Sequence, residues 1–201
     1  MGINVFFFLQ WAFLVTLYLQ ANLSKVDRTK TPWLLVLFHV PWYNSNEAHQ
    51  GEGDGLMEAM ERLLYAASVD MVLAGHVHAY ERSKHVYNGY SDPCGLVHIT
   101  IGDGGNKEGL ASKNVLYKEP QPKWSVFREV SFGHGELKLM NSTHALWSWH
   151  RNDDDEPVNS DQVWITSLVN SGCLTEKRHD LRKILLEPED AYWCTHFTRF
   201  G

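Results

Sequence analysis

Two short apolar runs separated by one stretch of helical periodicity constrain this chain more than any other feature. Trp33-Leu34-Leu35-Val36-Leu37-Phe38 is continuously apolar over the length of a strand, which suits a strand buried on both faces. Val69, Met71, Val72 and Leu73 make a second such run, which stops at Gly75-His76. Between them, residues 40–55 are rich in Pro, Asn, Ser, Glu and Gly and read as a long loop. Leu56, Met57, Met60, Leu63, Leu64 and Ala67 then recur at helical spacing, predicting a helix over residues 54–68 with Asp54 as its N-cap. Buried strands joined through a helix pair in parallel with a crossover, so the fold class is α/β.

Parallel pairing sets His39, at the end of the first run, beside His76 and His78, at the end of the second, along one carboxyl edge of the sheet. That edge is where open α/β sheets bind ligands. Imidazole is a common ligand for first-row metals, and Gly75 lets the backbone turn sharply as it leaves the sheet. Three histidines so placed read either as metal ligands or as ordinary loop histidines, and the residues alone leave both open. His49 follows in the loop Asn44-Ser45-Asn46-Glu47-Ala48-His49. It reads either as a proton donor beside that edge or as a solvated surface histidine. His85, His98, His144 and His150 fall in strand-like runs, whereas His134, His179 and His196 have no evident partner.

Beyond Arg82 the apolar residues come in shorter, alternating runs at 85–87, 96–101, 135–140, 145–149 and 162–168, separated by Asn88-Gly89, Asp103-Gly104-Gly105-Asn106 and an acidic stretch at 152–156. This predicts a β-rich, antiparallel second half. Asp103-Gly104-Gly105-Asn106 lacks the Gly-Lys-Ser/Thr ending of a phosphate loop and reads as a turn. Residues 171–201 read as a polar tail with one short helix around 180–186. A formal charge of -6, with 18 Lys+Arg and no basic run, excludes an electrostatic footprint for nucleic acid. A 44% hydrophobic composition excludes a disordered chain.

Residues 3–19 are apolar except for Asn4, Gln10, Trp11, Thr16 and Tyr18, close to the ~20 apolar residues that span a bilayer. The run reads as a signal peptide or anchor, or as a buried segment. No Lys or Arg precedes it and no small-x-small cleavage site follows it. Cys94, Cys173 and Cys194 are odd in number, so at least one thiol stays unpaired within the chain. Asn22 and Asn141 head glycosylation sequons that matter only in a secretory compartment.

Read together, Val36-Leu37-Phe38-His39 and Gly75-His76-Val77-His78-Ala79-Tyr80-Glu81-Arg82 resemble the last two metal-site motifs of plant purple acid phosphatases, VxxH and GHxH. Pro41-Trp42-Tyr43-Asn44, the stretch from Ile99 to Asn106, Phe127-Arg128-Glu129, Ser131-Phe132-Gly133-His134-Gly135 and the stretch from Trp147 to Asn152 are similar to that family's text as well. The resemblance implies the C-terminal part of a metallophosphoesterase α/β sandwich, a mixed sheet with a β-rich second half. It divides the chain into residues 17–92 of the metallophosphoesterase domain, a β-rich region at 93–170 and the tail. It implies hydrolysis of phosphate monoesters by a hydroxide activated at two metal ions. His39 and His76 would bind the divalent ion, zinc or manganese, and His78 the Fe(III). His49 would contact the substrate phosphate and protonate the leaving alcohol. Secretion or a vacuolar location follows from the family. A homodimer, with or without a Cys94 link between subunits, is left open.

The family motifs that precede VxxH, namely GDxG, GDxxY and GNH, are not found ahead of it in this sequence; the Gly102-Asp103 pair with its later glycines follows GHxH and resembles a different segment of the family. Two expectations follow: a phosphatase carrying the histidine half of its metal site, or an inactive truncated fragment or pseudoenzyme binding at most one ion. An open sheet edge and an uncovered apolar face at residues 33–38 and 71–73 are also expected. Residues 17–31 resemble the family's amphipathic helix, so only residues 1–16 are foreign to it. This disfavours membrane association through residues 3–19 and favours a truncated product or alternative start.

Overall fold

The computed structural model describes residues 2–8, 12–111, 117–152 and 158–173. The helix expected around residues 180–186 lies outside them, as do His179, His196 and most of the acidic stretch at 152–156. Among the described residues, ten strands form two sheets. The larger takes β1 (Ile3–Phe8), β2 (Trp33–Phe38), β3 (Met71–Ala74), β4 (Tyr80–Tyr87), β5 (Tyr90–Ser91), β6 (Leu96–Ile101) and β7 (Ser125–Glu129) in the order β1-β2-β3-β6-β4-β5, with β7 also on β4. The first four of that order run parallel, and β4 turns the sheet antiparallel. The smaller sheet is the antiparallel set β10 (Val158–Thr166), β9 (His144–Arg151) and β8 (Gly133–Leu139).

The continuous apolar run of β2 has a simple cause. Successive side chains point to opposite faces, and both faces are covered. Leu34, Val36 and Phe38 join Leu19 and Leu23 of α1 (Ala12–Leu23) and Met60 and Leu64 of α2 (Asp54–Ala66) in one core cluster. Trp33 and Leu35 face the other way, into Tyr80, Ile99, Trp147, Trp149 and Ile165 beneath the second sheet. The expected open edge and bare face at β2 are therefore absent: β1 pairs along its whole length in parallel, from Ile3↔Trp33 to Phe8↔Phe38. β3 lies between β2 and β6.

Three local expectations change. Residues 3–19, near a bilayer span in length, hold the strand β1 and the first part of α1, and among the described residues no helix is long and apolar enough to cross a membrane. α1 stops at Leu23 rather than reaching Thr31. Asp27 closes a turn there, its carboxylate accepting from Thr29 N and Oγ1 and its carbonyl from Lys30 and Thr31 N. The N-cap of α2 is Gly53, not Asp54; a Cβ on Gly53 would sit 2.5 Å from the Pro41 carbonyl oxygen, so the loop tucks under the helix start only without one.

Two covalent and ionic ties join the layers. Cys94 and Cys173 form an intrachain disulfide, which gives a partner to Cys94, whose role the sequence leaves open. Asp70, fully buried, accepts from Arg28 Nη2 at 2.6 Å, from Leu34 N at 2.8 Å and from Leu168 N at 2.7 Å. It thereby ties together the start of β2 and the chain that leaves β10.

Candidate metal centre

The parallel register that places Phe38 opposite Ala74 brings the ends of β2 and β3 side by side. Gly75 N donates to the His39 carbonyl at 3.0 Å, so the two histidine-bearing exits start from one point. From there the backbone makes two consecutive three-residue turns, Val77 N to Gly75 O at 2.7 Å and Ala79 N to Val77 O at 2.8 Å. His76 takes a left-handed φ of 64°, a conformation that a non-glycine residue adopts only at some cost. The result alternates: Val77 and Ala79 are buried, while His76 and His78 reach the surface cleft. Gly102, at the end of β6, backs this turn so closely that a Cβ there would lie 2.1 Å from the Val77 carbonyl oxygen.

His39, His49, His76 and His78 line one cleft of about 430 Å³ together with Gly75, Gly102, Gly105, Asn106 and Glu108. His39 Nε2 and His76 Nδ1 are 3.1 Å apart. His76 Nε2 lies 2.6 Å from Glu52 Oε2, and His49 Nδ1 lies 3.0 Å from Glu52 Oε1. Hydrogen bonds from His49, and after it from His76, hold the Glu52 carboxyl below the ordinary carboxylate range. Glu52 is the site residue that sequence reasoning missed. The signal was its spacing of three from His49; its meeting with His76, 24 residues away, left no local trace.

The four histidines read from the sequence are thus brought together, but the tightest group differs from the expected triad. Among the described residues, His49, Glu52 and His76 offer ligand atoms all within 4.8 Å of one another. His39 adjoins them through His76, and His78 opens on the same cleft. Two nitrogens on a tetrahedral zinc at ~2.05 Å stand about 3.3 Å apart, close to the His39–His76 separation. Neutral imidazoles with a carboxylate on the far ring nitrogen are a donor set suited to a borderline divalent ion. The residues present fit one such ion.

The remaining candidates fall elsewhere. Asn22 lies in the last turn of α1 with its amide donating to Tyr18 O, and Asn141 sits in the β8–β9 turn with Oδ1 accepting from Thr143 and His144 N. His98 is buried against Trp42 and Tyr43. His134 contacts Asn152 and stacks on His150, away from the cleft lining. Asp103 is in the predicted turn, but it is buried and accepts from Trp149 Nε1 at 2.8 Å.

Both halves of the chain are similar to known proteins. Residues 7–80 match the family model for calcineurin-like phosphoesterases, and residues 95–160 match the one for the iron/zinc purple acid phosphatase-like protein C. The chain is 72% identical over 171 residues to Purple acid phosphatase 18 of Arabidopsis thaliana, covering 85% of this chain and 38% of the relative. To Purple acid phosphatase 22 of the same plant it is 58% identical over 162 residues, 80% of this chain and 37% of the relative. To the Phosphoenolpyruvate phosphatase of Allium cepa it is 49% identical over 158 residues, 73% and 32% respectively. The chain therefore spans less than two fifths of these relatives. Among solved structures, purple acid phosphatase PPD1 from yellow lupin seeds superposes with a TM-score of 0.65 at 24% identity, over 79% of this chain and 30% of that one. That likeness concerns the fold.

Proposed function

This chain belongs to the purple acid phosphatases among the calcineurin-like phosphoesterases, and from that premise we propose that its histidine cleft serves the hydrolysis of phosphate monoesters. The observation that carries the proposal is the convergence of His39, His49, His76 and His78 on one cleft at the carboxyl edge of the parallel strands. His39 and His76 would hold a divalent ion, zinc or manganese, and His78 would face a ferric ion. Metal ions bound there supply Lewis-acid polarisation of a phosphoryl oxygen and a water acidic enough to act near neutral pH. Glu52, on the outer nitrogen of His76, selects the tautomer of that ring and fixes its orientation. His49, oriented by the same carboxylate, is placed to give a proton to the departing alcohol oxygen.

A single-ion reading without turnover has one specific observation in its favour: the tightest ligand group holds one carboxylate and two imidazoles. For location, the intrachain disulfide supports an oxidising compartment, as secretion or the vacuole would provide. The deciding experiment is hydrolysis of p-nitrophenyl phosphate by the purified chain supplied with Fe(III) and Zn(II). We expect turnover that the His76→Ala chain loses. No release above buffer contradicts the phosphatase reading for this chain and selects the single-ion one.

A further inference from the structure

Glu81 is a buried carboxylate to which the hydrolytic reading gives no task. It lies in β4, three residues past His78, and is 3% exposed. Its Oε2 accepts from Ser45 N at 2.8 Å, and its Oε1 accepts from Ser45 Oγ at 2.5 Å and Ser125 Oγ at 2.6 Å. Burying a carboxylate is costly unless donors surround it, so three directed bonds from two other segments mark a built contact. Pairing β4 to β7 does not call for it, because the two strands already share a backbone ladder. Two of the three bonds go instead to the loop that carries His49.

Ser45 is held from its other side as well. Lys118 N donates to its carbonyl at 2.7 Å, and Arg128 Nη1 donates to Lys118 O at 2.9 Å while its guanidinium lies 5.0 Å over the Tyr117 ring. Next along the chain, Asn46 is fully buried. Its Oδ1 accepts from Ala48 N at 3.0 Å and so caps the 3-10 turn Glu47–His49. Downstream of this anchor, residues 47, 48 and 50–52 are exposed. The position of His49 is therefore set upstream, at Ser45-Asn46, where Glu81 acts.

We propose that Glu81 is the positioning residue for His49: by gripping Ser45 it fixes the register in which the 3-10 turn presents the imidazole to Glu52 and the cleft. One segment then performs two tasks, since the turn that aims His78 runs directly into the strand that anchors the His49 loop. The inference rests on the reading of His49 as a site residue.

The test is Glu81→Gln in the full chain, with Ser45→Ala as a milder second variant that removes only the hydroxyl donor. Amide hydrogen exchange across residues 45–49 is expected to accelerate about tenfold or more in Glu81→Gln, as loss of a charge-assisted bond allows. The core amides of β2, β3 and β9 should keep their rates. The His49 ring Hε1 resonance should move while those of His85 and His134 stay. Ser45→Ala should show a smaller change of the same sign, and it decides alone should Glu81→Gln not fold. Unchanged exchange at residues 45–49, or equal acceleration in β2, β3 and β9, overturns the proposal. Inorganic phosphate binding to the zinc-loaded chain that His49→Ala leaves intact would instead overturn the function assigned to His49, so the two failures are distinguishable.

Discussion

Glu52 Oε2 lies 2.6 Å from His76 Nε2, a contact between a loop and a strand-end turn 24 residues apart that turns two surface side chains into parts of one site. Because the other nitrogen of His76 faces His39, the carboxylate fixes which nitrogen looks into the cleft. Glu52→Gln should weaken zinc binding about 10- to 100-fold, the usual cost of losing such a partner. Glu52 is exposed, so the urea midpoint should stay close to that of the parent chain. Calorimetric zinc titration and urea unfolding check the pair; unchanged affinity contradicts the role.

Arg28 and Asp70 form a buried ion pair at 2.6 Å, with Arg28 also donating to the carbonyls of Ser68 and Pro32. Arg28→Ala leaves the Asp70 carboxylate buried with a major partner gone. A loss of about 3–5 kcal/mol in unfolding free energy is expected. A loss below about 1 kcal/mol by urea denaturation would show that the pair is not what joins β2 to the chain leaving β10.

Two buried groups should tilt the pH dependence of stability in opposite directions. Burial pulls His98 down to about 3 from 6.5, so the stability it preserves is present above pH 6.5 and lost as pH falls towards 3. Burial pushes Asp103 up to about 6 from 3.8, so its contribution is present below pH 3.8 and lost as pH rises through 6. Each gives a slope of about 1.4 kcal/mol per pH unit between about pH 4 and 6. Relative to the parent chain, Asp103→Asn should gain stability with rising pH across that window and His98→Phe should lose it. Differences that stay flat with pH contradict the assigned shifts.

The Cys94–Cys173 bond closes a loop across a sequence separation of 79. Cys94→Ser should cost about 2–5 kcal/mol of stability, read by thermal or urea unfolding. Of the three cysteines in the sequence, the bond takes two, Cys94 and Cys173. Ellman titration of the denatured, unreduced chain should therefore count one thiol per chain. Three would contradict the bond.

What could be read from the sequence and what could not divides along physical lines. β2 and β3 announce themselves because both faces are buried, and with them came the shared edge of His39, His76 and His78. The start of β4 was hidden because Glu81, Arg82 and Ser83 are polar yet buried. Their partners, among them Ser45, Ser125 and Asp161, are distant in sequence, so hydropathy has nothing to register. β1 was visible as apolar but not as a strand, since the run of residues 3–19 merges two elements of different period. The cysteine pairing could not be chosen from three residues by parity alone. Glu52 escaped because its contact with His76, at another strand end, leaves no local trace beside its spacing of three from His49.

Cobalt(II) titration of the full chain, followed by visible d–d absorption, addresses the histidine cleft most directly. One ion per chain is predicted to bind with imidazole-rich, low-symmetry bands. His39→Ala and His76→Ala should each weaken it at least tenfold, while His134→Ala should leave it unchanged. Cobalt binding that survives His76→Ala at full affinity would contradict a metal centre at the ends of β2 and β3.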